Sequence, residues 1–269
     1  MNSPTVSVVL PVFNCEKYIG AAIESIVKQT FHDFELVIVN DGSTDNTESI
    51  VRRFSDPRIV YLNNEKNSGL IYTLNKAIDA ARGKYIARMD SDDISLPDRL
   101  HQQCEFLEKH PEVGIVASTI INIDENNREL GAWELDRKTL SHNIIRKTML
   151  RENCISHPSV MGKAELFHRF PYQEQQKNVE DYDLWLRLLV NNIHFAKIAN
   201  PLLLYRIHPA SITSVTLKNK NFYFKHFQMK RRLLASPGEF NTYTLKILLS
   251  ALIDLAFGIG KSIKSVFRN

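Results

Sequence analysis

Cysteine is scarce in this chain. Cys15, Cys104 and Cys154 are the three in 269 residues; they lie far apart and form no C-x-x-C pair. A disulfide framework and a zinc finger are therefore not expected, and a reducing compartment fits best. Long apolar runs are missing as well. The longest, 247–260, is about 14 residues, is broken by Ser250 and Asp254, and falls short of the roughly 20 that cross a membrane. The first five residues carry no positive charge, and Pro11 and Asn14 interrupt the apolar run behind them, so no signal peptide is expected. The common nucleotide loops are absent too. P-V-F-N stands where G-x-G-x-x-G would follow a first strand, and Leu255 occupies the first glycine of what would be a P-loop ending at Gly260-Lys261-Ser262. There is no G-x-S-x-G and no H-E-x-x-H. Dinucleotide oxidoreductase, P-loop ATPase and serine hydrolase are each disfavoured.

What is present is the composition of a globular protein, 43% hydrophobic and 24% charged. That excludes a disordered chain, a collagen-like fibre and a multispan membrane protein. The net charge of +4 is uneven: from Lys218 onward ten basic residues face Glu239 and Asp254. The tail is thus strongly basic and the body mildly acidic, which suggests an anionic partner.

Strand-like and helix-like segments alternate through the first half. Residues 6–10, 34–39, 59–62, 84–89 and 113–118 read as buried strands. Between them, Ile19, Ala22, Ile23, Ile26 and Val27, then Ile71, Leu74, Ile78 and Ala81, then Leu100, Cys104 and Leu107 recur at helical spacing. Gly83 reads as a helix stop and Pro97 as a helix start. Near-continuous apolar strands, each followed by an amphipathic helix, predict an α/β fold with a mostly parallel sheet and flanking helices. In such a sheet the ligand crevice lies beyond the carboxyl ends of the strands. The polar clusters at 11–14, 40–45, 63–69 and 90–93 all sit there and are expected to converge. The second half is less regular: 156–162 and 202–207 read as strands, 179–190 as a helix, and the segment after Thr216 as helical and basic.

Four features carry candidate chemistry. Asp90-Ser91-Asp92-Asp93 crowds three carboxylates that repel one another unless a cation compensates, and two hard oxygen donors on a tight turn suit Mg²⁺ or Mn²⁺. A solvated acidic turn is the plainer account. Asn40-Asp41-Gly42-Ser43 reads first as an ordinary turn, although a carboxylate there can accept hydrogen bonds from a nucleobase or ribose. Glu180-Asp181-x-Asp183 opens a helix, where the macrodipole favours acids; one of them can also serve as a general base. His208 ends a strand, and a neutral imidazole there can complete a divalent-metal site.

Five stretches occur in order: V-S-V-V-L-P-V-F-N, V-I-V-N-D-G-S-T-D, N-S-G-L-x-x-x-L-N-K, Y-I-A-R-M-D-S-D-D and V-E-D-Y-D-L-W-L-R-L. Together they resemble the inverting glycosyltransferase family 2, with its GT-A fold, over about residues 5–215. The resemblance implies that Pro11, Phe13 and Asn14 line a nucleotide cradle and that Asp41 meets the base, usually uracil. It further implies that Asp90 lies near ribose and metal, that Asp92 and His208 hold a divalent cation, Mn²⁺ or Mg²⁺, and that Asp181 is the catalytic base. Asp93 and Asp183 are read as supporting or capping groups.

The expected layout is a GT-A domain over 1–215, nucleotide-binding to about 120 and acceptor-binding beyond, followed by a helical basic extension over 216–269. The expected partners are a nucleotide-sugar donor, a glycan or polyprenyl-diphosphate-sugar acceptor of cell-surface polysaccharide or O-antigen assembly, and an anionic membrane at its cytoplasmic face. Lys225, Lys230, Arg231 and Arg232, with the apolar stretch behind them, resemble a peripheral anchor; a helical subdomain packed on the body is the other reading. A catalytically silent sugar-nucleotide-binding scaffold is the alternative function. A nucleotidyltransferase would open with a Gly-rich basic loop, which P-V-F-N is not. Nucleic-acid binding is not expected, since aromatic platforms such as Tyr223 and Phe224 are few.

Overall fold

The computed structural model describes residues 3–209, 211, 222–235 and 241–266, with side chains to 260. Four parallel strands form one half of the sheet: β1 (Val6–Val12), β2 (Phe34–Asn40), β3 (Ile59–Asn63) and β4 (Tyr85–Arg88), in the order β3-β2-β1-β4. Two further strands, β5 (Ile94–Ser95) and β6 (Val113–Ile123), belong to the other half, as do β7 (Glu129–Gly131), β8 (Met161–Lys163) and β9 (His194–Arg206). β8 joins the halves, antiparallel to both β4 and β6; β6 then runs parallel to β9, and β5 closes the edge antiparallel to β9.

The strands read as unbroken apolar runs because both faces are covered. Val9, Val37, Val39, Ile86 and Ile115 face one core, shared with α3 (Leu70–Ala80), α7 (Ala164–Arg169) and α8 (Glu180–Val190). Val8, Leu10, Leu36, Ile38 and Ala87 face the other, shared with α1 (Ile19–Val27) and α4 (Arg99–Lys109). Alternate residues of each strand thus divide between the two cores, as pleating requires. Three short helices, α2 (Thr47–Val51), α5 (Glu134–Lys138) and α6 (His142–Thr148), fill connections.

Several boundaries differ from the sequence reading. β6 continues to Ile123 and β9 begins at His194. Their pairing slips around Ser118 and Thr119, opposite Pro201, and this irregularity hides the early half of β9 from a periodicity argument. The strand expected over 156–162 is a 3-10 turn, His157–Ser159, followed by β8. Pro158 cannot donate to a ladder, and Ser159 closes the turn by donating Oγ to Ser156 O. Gly83 does not stop α3 by adopting a left-handed conformation, since its φ is negative. It is needed because a Cβ there would lie 2.5 Å from Ser7 N of β1.

Helix α9 (Phe222–Ala235) packs along α10 (Thr242–Val266), and both rest on the body. Met229, Tyr243 and Ile247 enter the core that contains α8. Lys230 is buried: its Nζ donates to Leu150 O, Ser250 Oγ and Asp254 Oδ2. The expectation that Lys230 contributes to a lipid-facing anchor is therefore corrected, because its charge is spent inside. The apolar stretch is also longer than its sequence count. It spans Thr242–Gly260, 19 residues and enough to cross a membrane by length, yet 39% of it is buried against the protein. The expected domain boundary at 215–216 falls outside the described residues, as do Lys218, Lys220 and Arg268.

Candidate active site

The four loops at the carboxyl ends of β1 to β4 do converge. They line a cavity of about 970 Å³ together with the end of β9. Pro11, Phe13, Asn14, Asp41, Asp90, Asp92 and His208 all border it. Asn14 has a left-handed backbone, φ 45°, and ties two loops together: its N–H donates to Ser43 Oγ and its Oδ1 accepts from Thr44 N–H. Phe13 is 43% exposed, an aromatic face open to the cavity.

Asp41 is buried, and its carboxylate is occupied by its own chain. Oδ1 accepts from Asn64 Nδ2 and Ser68 N–H, and Oδ2 from Gly69 N–H, each at 2.8 Å. Asp41 therefore holds the loop ahead of α3 against the end of β2. Gly42, at φ 68°, is what lets that loop approach: a Cβ would lie 2.6 Å from the carbonyl carbon of Lys66.

The acidic turn is bracketed by β4 and β5, and the pairing of β5 with β9 carries it to the end of β9. His208, two residues past β9, meets Asp92 with Nε2 2.9 Å from Oδ2. Tyr18 packs under both His208 and the Arg206 guanidinium. Arg206 staples the turn in place: its N–H donates to Asp93 Oδ1 at 2.8 Å and its Nε to Asp92 O at 2.7 Å. On the other side Arg88, itself buried, donates to Asp90 Oδ2 at 2.6 Å. Burial raises the Asp90 carboxyl above the usual range, and Arg88 opposes that. Burial, with Asp92 and Asp90 adding like charge, raises Asp93 well above it.

Three carboxylate oxygens, one each from Asp90, Asp92 and Asp93, lie within 4.8 Å of one another. Arg88 answers Asp90 but Asp93 Oδ2 is buried with no hydrogen-bond partner among the described residues. A carboxylate and an imidazole bordering the cavity, beside this cluster of carboxyl oxygens, fit a hard divalent cation such as Mn²⁺ or Mg²⁺. Asp92 and His208, both half-buried, are the donors that border the cavity. Burial pushes the nearby Cys15 thiol up to about 12, which disfavours its thiolate.

Asp181 lies at the start of α8 and borders a second cavity, of about 440 Å³. The two cavities adjoin: Leu70, Asp90, Asn178, Glu180 and Tyr205 line both. Asp181 Oδ2 accepts from Asn153 Nδ2 at 2.7 Å, and Oδ1 from Tyr182 N–H. Burial raises the Asp181 carboxyl, while the Tyr182 N–H, Arg88 and Asn153 work against it. Burial pushes Glu180 up to about 7, with the Asp181 charge adding to the effect. Asp183 points elsewhere, paired with Arg187 and Gln176 in the interior. A raised carboxyl lining a cavity that adjoins the acidic turn suits general-base chemistry.

Comparison with known proteins bears on the family and the fold. Residues 7–175 match the profile of Glycosyl transferase family 2. An uncharacterized glycosyltransferase of Methanocaldococcus jannaschii is 33% identical over 96% of this chain and 89% of its own length. The Escherichia coli UDP-Glc:alpha-D-GlcNAc-diphosphoundecaprenol beta-1,3-glucosyltransferase WfgD is 34% identical over 81% of this chain and 83% of its own. Among solved structures, S. aureus TarS 1–349 in complex with UDP-GlcNAc superposes with a TM-score of 0.74 at 22% identity, covering 93% of this chain and 72% of that one. At that identity the likeness bears on the fold, which is GT-A.

Proposed function

This chain belongs to glycosyl transferase family 2, and from that premise we propose that it moves a hexose or N-acetylhexosamine from a nucleotide sugar, with uridine diphosphate as the expected leaving group, onto a glycan or polyprenyl-diphosphate-linked sugar, inverting the anomeric centre. The observation that carries the reading is the junction of the two cavities: the acid–imidazole set borders one, Asp181 borders the other, and Asp90 and Glu180 form their common wall. The first cavity is read as the donor site, with Pro11, Phe13, Asn14 and Asp41 forming the nucleotide cradle and Asp90 near the ribose and metal. The proposed layout is nucleotide-binding to about residue 120, acceptor-binding to about 215 and a basic extension beyond. The similarity to WfgD, a UDP-glucose enzyme with a diphosphoundecaprenol-linked acceptor, supports a place in surface-polysaccharide assembly.

Asp92 and His208 would hold a divalent cation, whose chemistry is to stabilise negative charge on a departing diphosphate. The chain's own groups do the rest. Asp181 takes the proton of the acceptor hydroxyl as that oxygen bonds to the anomeric carbon. The bond from that carbon to the donor phosphate oxygen breaks with its electron pair on the diphosphate. One displacement through an oxocarbenium-like transition state inverts the centre. Asn153 fixes the rotamer of Asp181, and Arg88 compensates charge along the shared wall.

The outward face of α10 exposes Leu245, Leu248, Leu249, Leu252, Ile253 and Phe257. We read this face as a peripheral contact with anionic membrane at its cytoplasmic side; co-sedimentation with anionic vesicles at low salt is the check. The functional test is a screen of UDP-glucose, UDP-N-acetylglucosamine, GDP-mannose and a dTDP-hexose, scored by nucleoside diphosphate release with Mn²⁺ and with chelator. Release from a UDP-sugar, lost with chelator, is expected. Binding without release from any donor would mark a silent scaffold instead.

A further inference from the structure

The Asp181 carboxylate takes hydrogen bonds from Asn153 Nδ2 and the Tyr182 N–H. Asn153 lies in the loop after α6, outside any helix or strand, so the local backbone does not fix it. Its amide is oriented within the loop: Oδ1 accepts from Ile155 N–H at 3.1 Å, which leaves Nδ2 for Asp181. The loop in turn is held by its carbonyls. A helix leaves the carbonyls of its last turn without intrahelical partners. Here side chains from elsewhere meet them. Tyr243 donates its hydroxyl to Arg146 O at 2.8 Å, Tyr182 its hydroxyl to Met149 O at 2.6 Å, and Lys230 its Nζ to Leu150 O at 2.9 Å. Ser250 Oγ donates to Leu150 O as well. Past Asn153, Lys197 Nζ donates to Cys154 O at 2.7 Å.

Lys230 is on α9, and Tyr243 and Ser250 are on α10. Met229, Tyr243 and Ile247 share a core with Ile145 and Met149, so these donors arrive on a seated surface. That surface also touches the second group at Asp181. The Tyr182 ring stands edge-on to the His226 ring, with centroids 5.0 Å apart, and its centroid is 5.7 Å from Lys230 Nζ. Packing alone does not call for a lysine here. A buried ion pair replaced by well-packed apolar residues is often neutral for stability. What an apolar residue cannot supply is a donor to Leu150 O.

We propose that the C-terminal extension is a positioning element of the active site: Lys230, with Tyr243 and Ser250, holds the loop after α6 so that Asn153 stays aimed at Asp181. The proposal rests on the reading of Asp181 as the base. It gives the extension a part in turnover that is separate from any contact made by its outward face. Misplacing a reacting group by ~1 Å can cost about 10²-fold in rate, so a loop loosened at Leu150 is felt where the acceptor proton leaves.

Lys230→Met with Asp254→Leu tests this, because it removes the donor to Leu150 O without stranding a charge. Transfer is expected to fall about tenfold, with UDP-sugar affinity by calorimetry within about twofold. The acidic limb of kcat should move up, since Asn153 no longer holds the Asp181 carboxyl down. Arg88 and Asp90 at the end of β4, Tyr172 ahead of α8 and Glu180 on it also act on Asp181, and the change leaves all of them in place. Met229→Ala weakens the same packing but removes no donor. Its unfolding midpoint should fall while kcat and the limb, measured below that midpoint, stay put. Tyr243→Phe with Ser250→Ala keeps the ion pair, removes the other two donors and should move the limb the same way; it decides the question if the first double variant does not fold. Asp181 itself gives a readout without turnover. In aspartate-labelled protein its ¹³Cγ signal, identified by its loss in Asp181→Asn, should titrate at a higher pH in both double variants. A limb and a ¹³Cγ midpoint unmoved in the folded double variants overturn the proposal, and so does an equal shift in Met229→Ala. A shifted midpoint in a protein that transfers from no screened donor would leave the extension's hold on Asp181 standing and remove the transferase reading.

Discussion

Asp181 works as a carboxylate, so its protonation switches the proposed reaction off. Burial raises its carboxyl, and the adjoining Glu180 is pushed up to about 7. As pH falls, the ionised base is therefore lost earlier than for an ordinary carboxylate near 4. The acidic limb of kcat against pH is expected above that value. Asn153 donates to Asp181 and holds its carboxyl down. Asn153→Ala should lower kcat roughly 10- to 100-fold, leave donor KM nearly unchanged, and move the acidic limb further up; a merely structural asparagine would not move the limb. The acids themselves were legible because three carboxylates in four residues and an acid pair opening a helix are unusual in sequence. Their supports were not. Asn153 is 28 residues from Asp181 and sits in an irregular loop, and Arg206 is 113 residues from the carboxylate it orients. No spacing rule reports such partners. Arg88 stood inside a quoted motif, yet its role follows only from the burial of its guanidinium beside Asp90.

Among the elements, the β1–β4 half was readable because each strand is covered on both faces and each crossover helix has one apolar stripe. The β6–β9 half was less so. There the antiparallel β8 is three residues long, and β9 pairs across a register slip, so neither leaves a clean period in the sequence. The loop between β2 and α2 shows what local chemistry the donor cavity depends on. Gly42→Ala would place a side chain at φ 68° and 2.6 Å from the Lys66 carbonyl carbon. A loss of at least ~1 kcal/mol is expected from the left-handed backbone, read by denaturant unfolding. Donor affinity should fall with it, because Gly42 packs against the neighbouring loop ahead of α3, whose Ser68 and Gly69 amides Asp41 holds.

For the whole molecule, the two helices of the extension are joined to each other by a buried ion pair, and the same lysine reaches the body through Leu150 O. Lys230 Nζ lies 2.7 Å from Asp254 Oδ2, with side-chain exposures of 0% and 7%. Lys230→Met leaves the Asp254 charge buried without its partner and should cost roughly 3–5 kcal/mol, seen as a lower unfolding midpoint. The double change Lys230→Met with Asp254→Leu should recover most of that, since it removes the stranded charge. Charge counting flagged the tail as basic but could not separate the lysine that turns inward from residues that face solvent. The same joining of distant parts underlies the proposed reaction, in which the amino-terminal loops build the donor site, α8 brings the base, and one wall lies between them. Asp181→Asn tests that arrangement most directly, with calorimetry of the UDP-sugar in Mn²⁺ measured beside transfer to acceptor. The account predicts donor affinity within twofold of the unmodified protein and transfer reduced about 10²- to 10⁴-fold; undiminished transfer, or donor binding lost along with it, would contradict it.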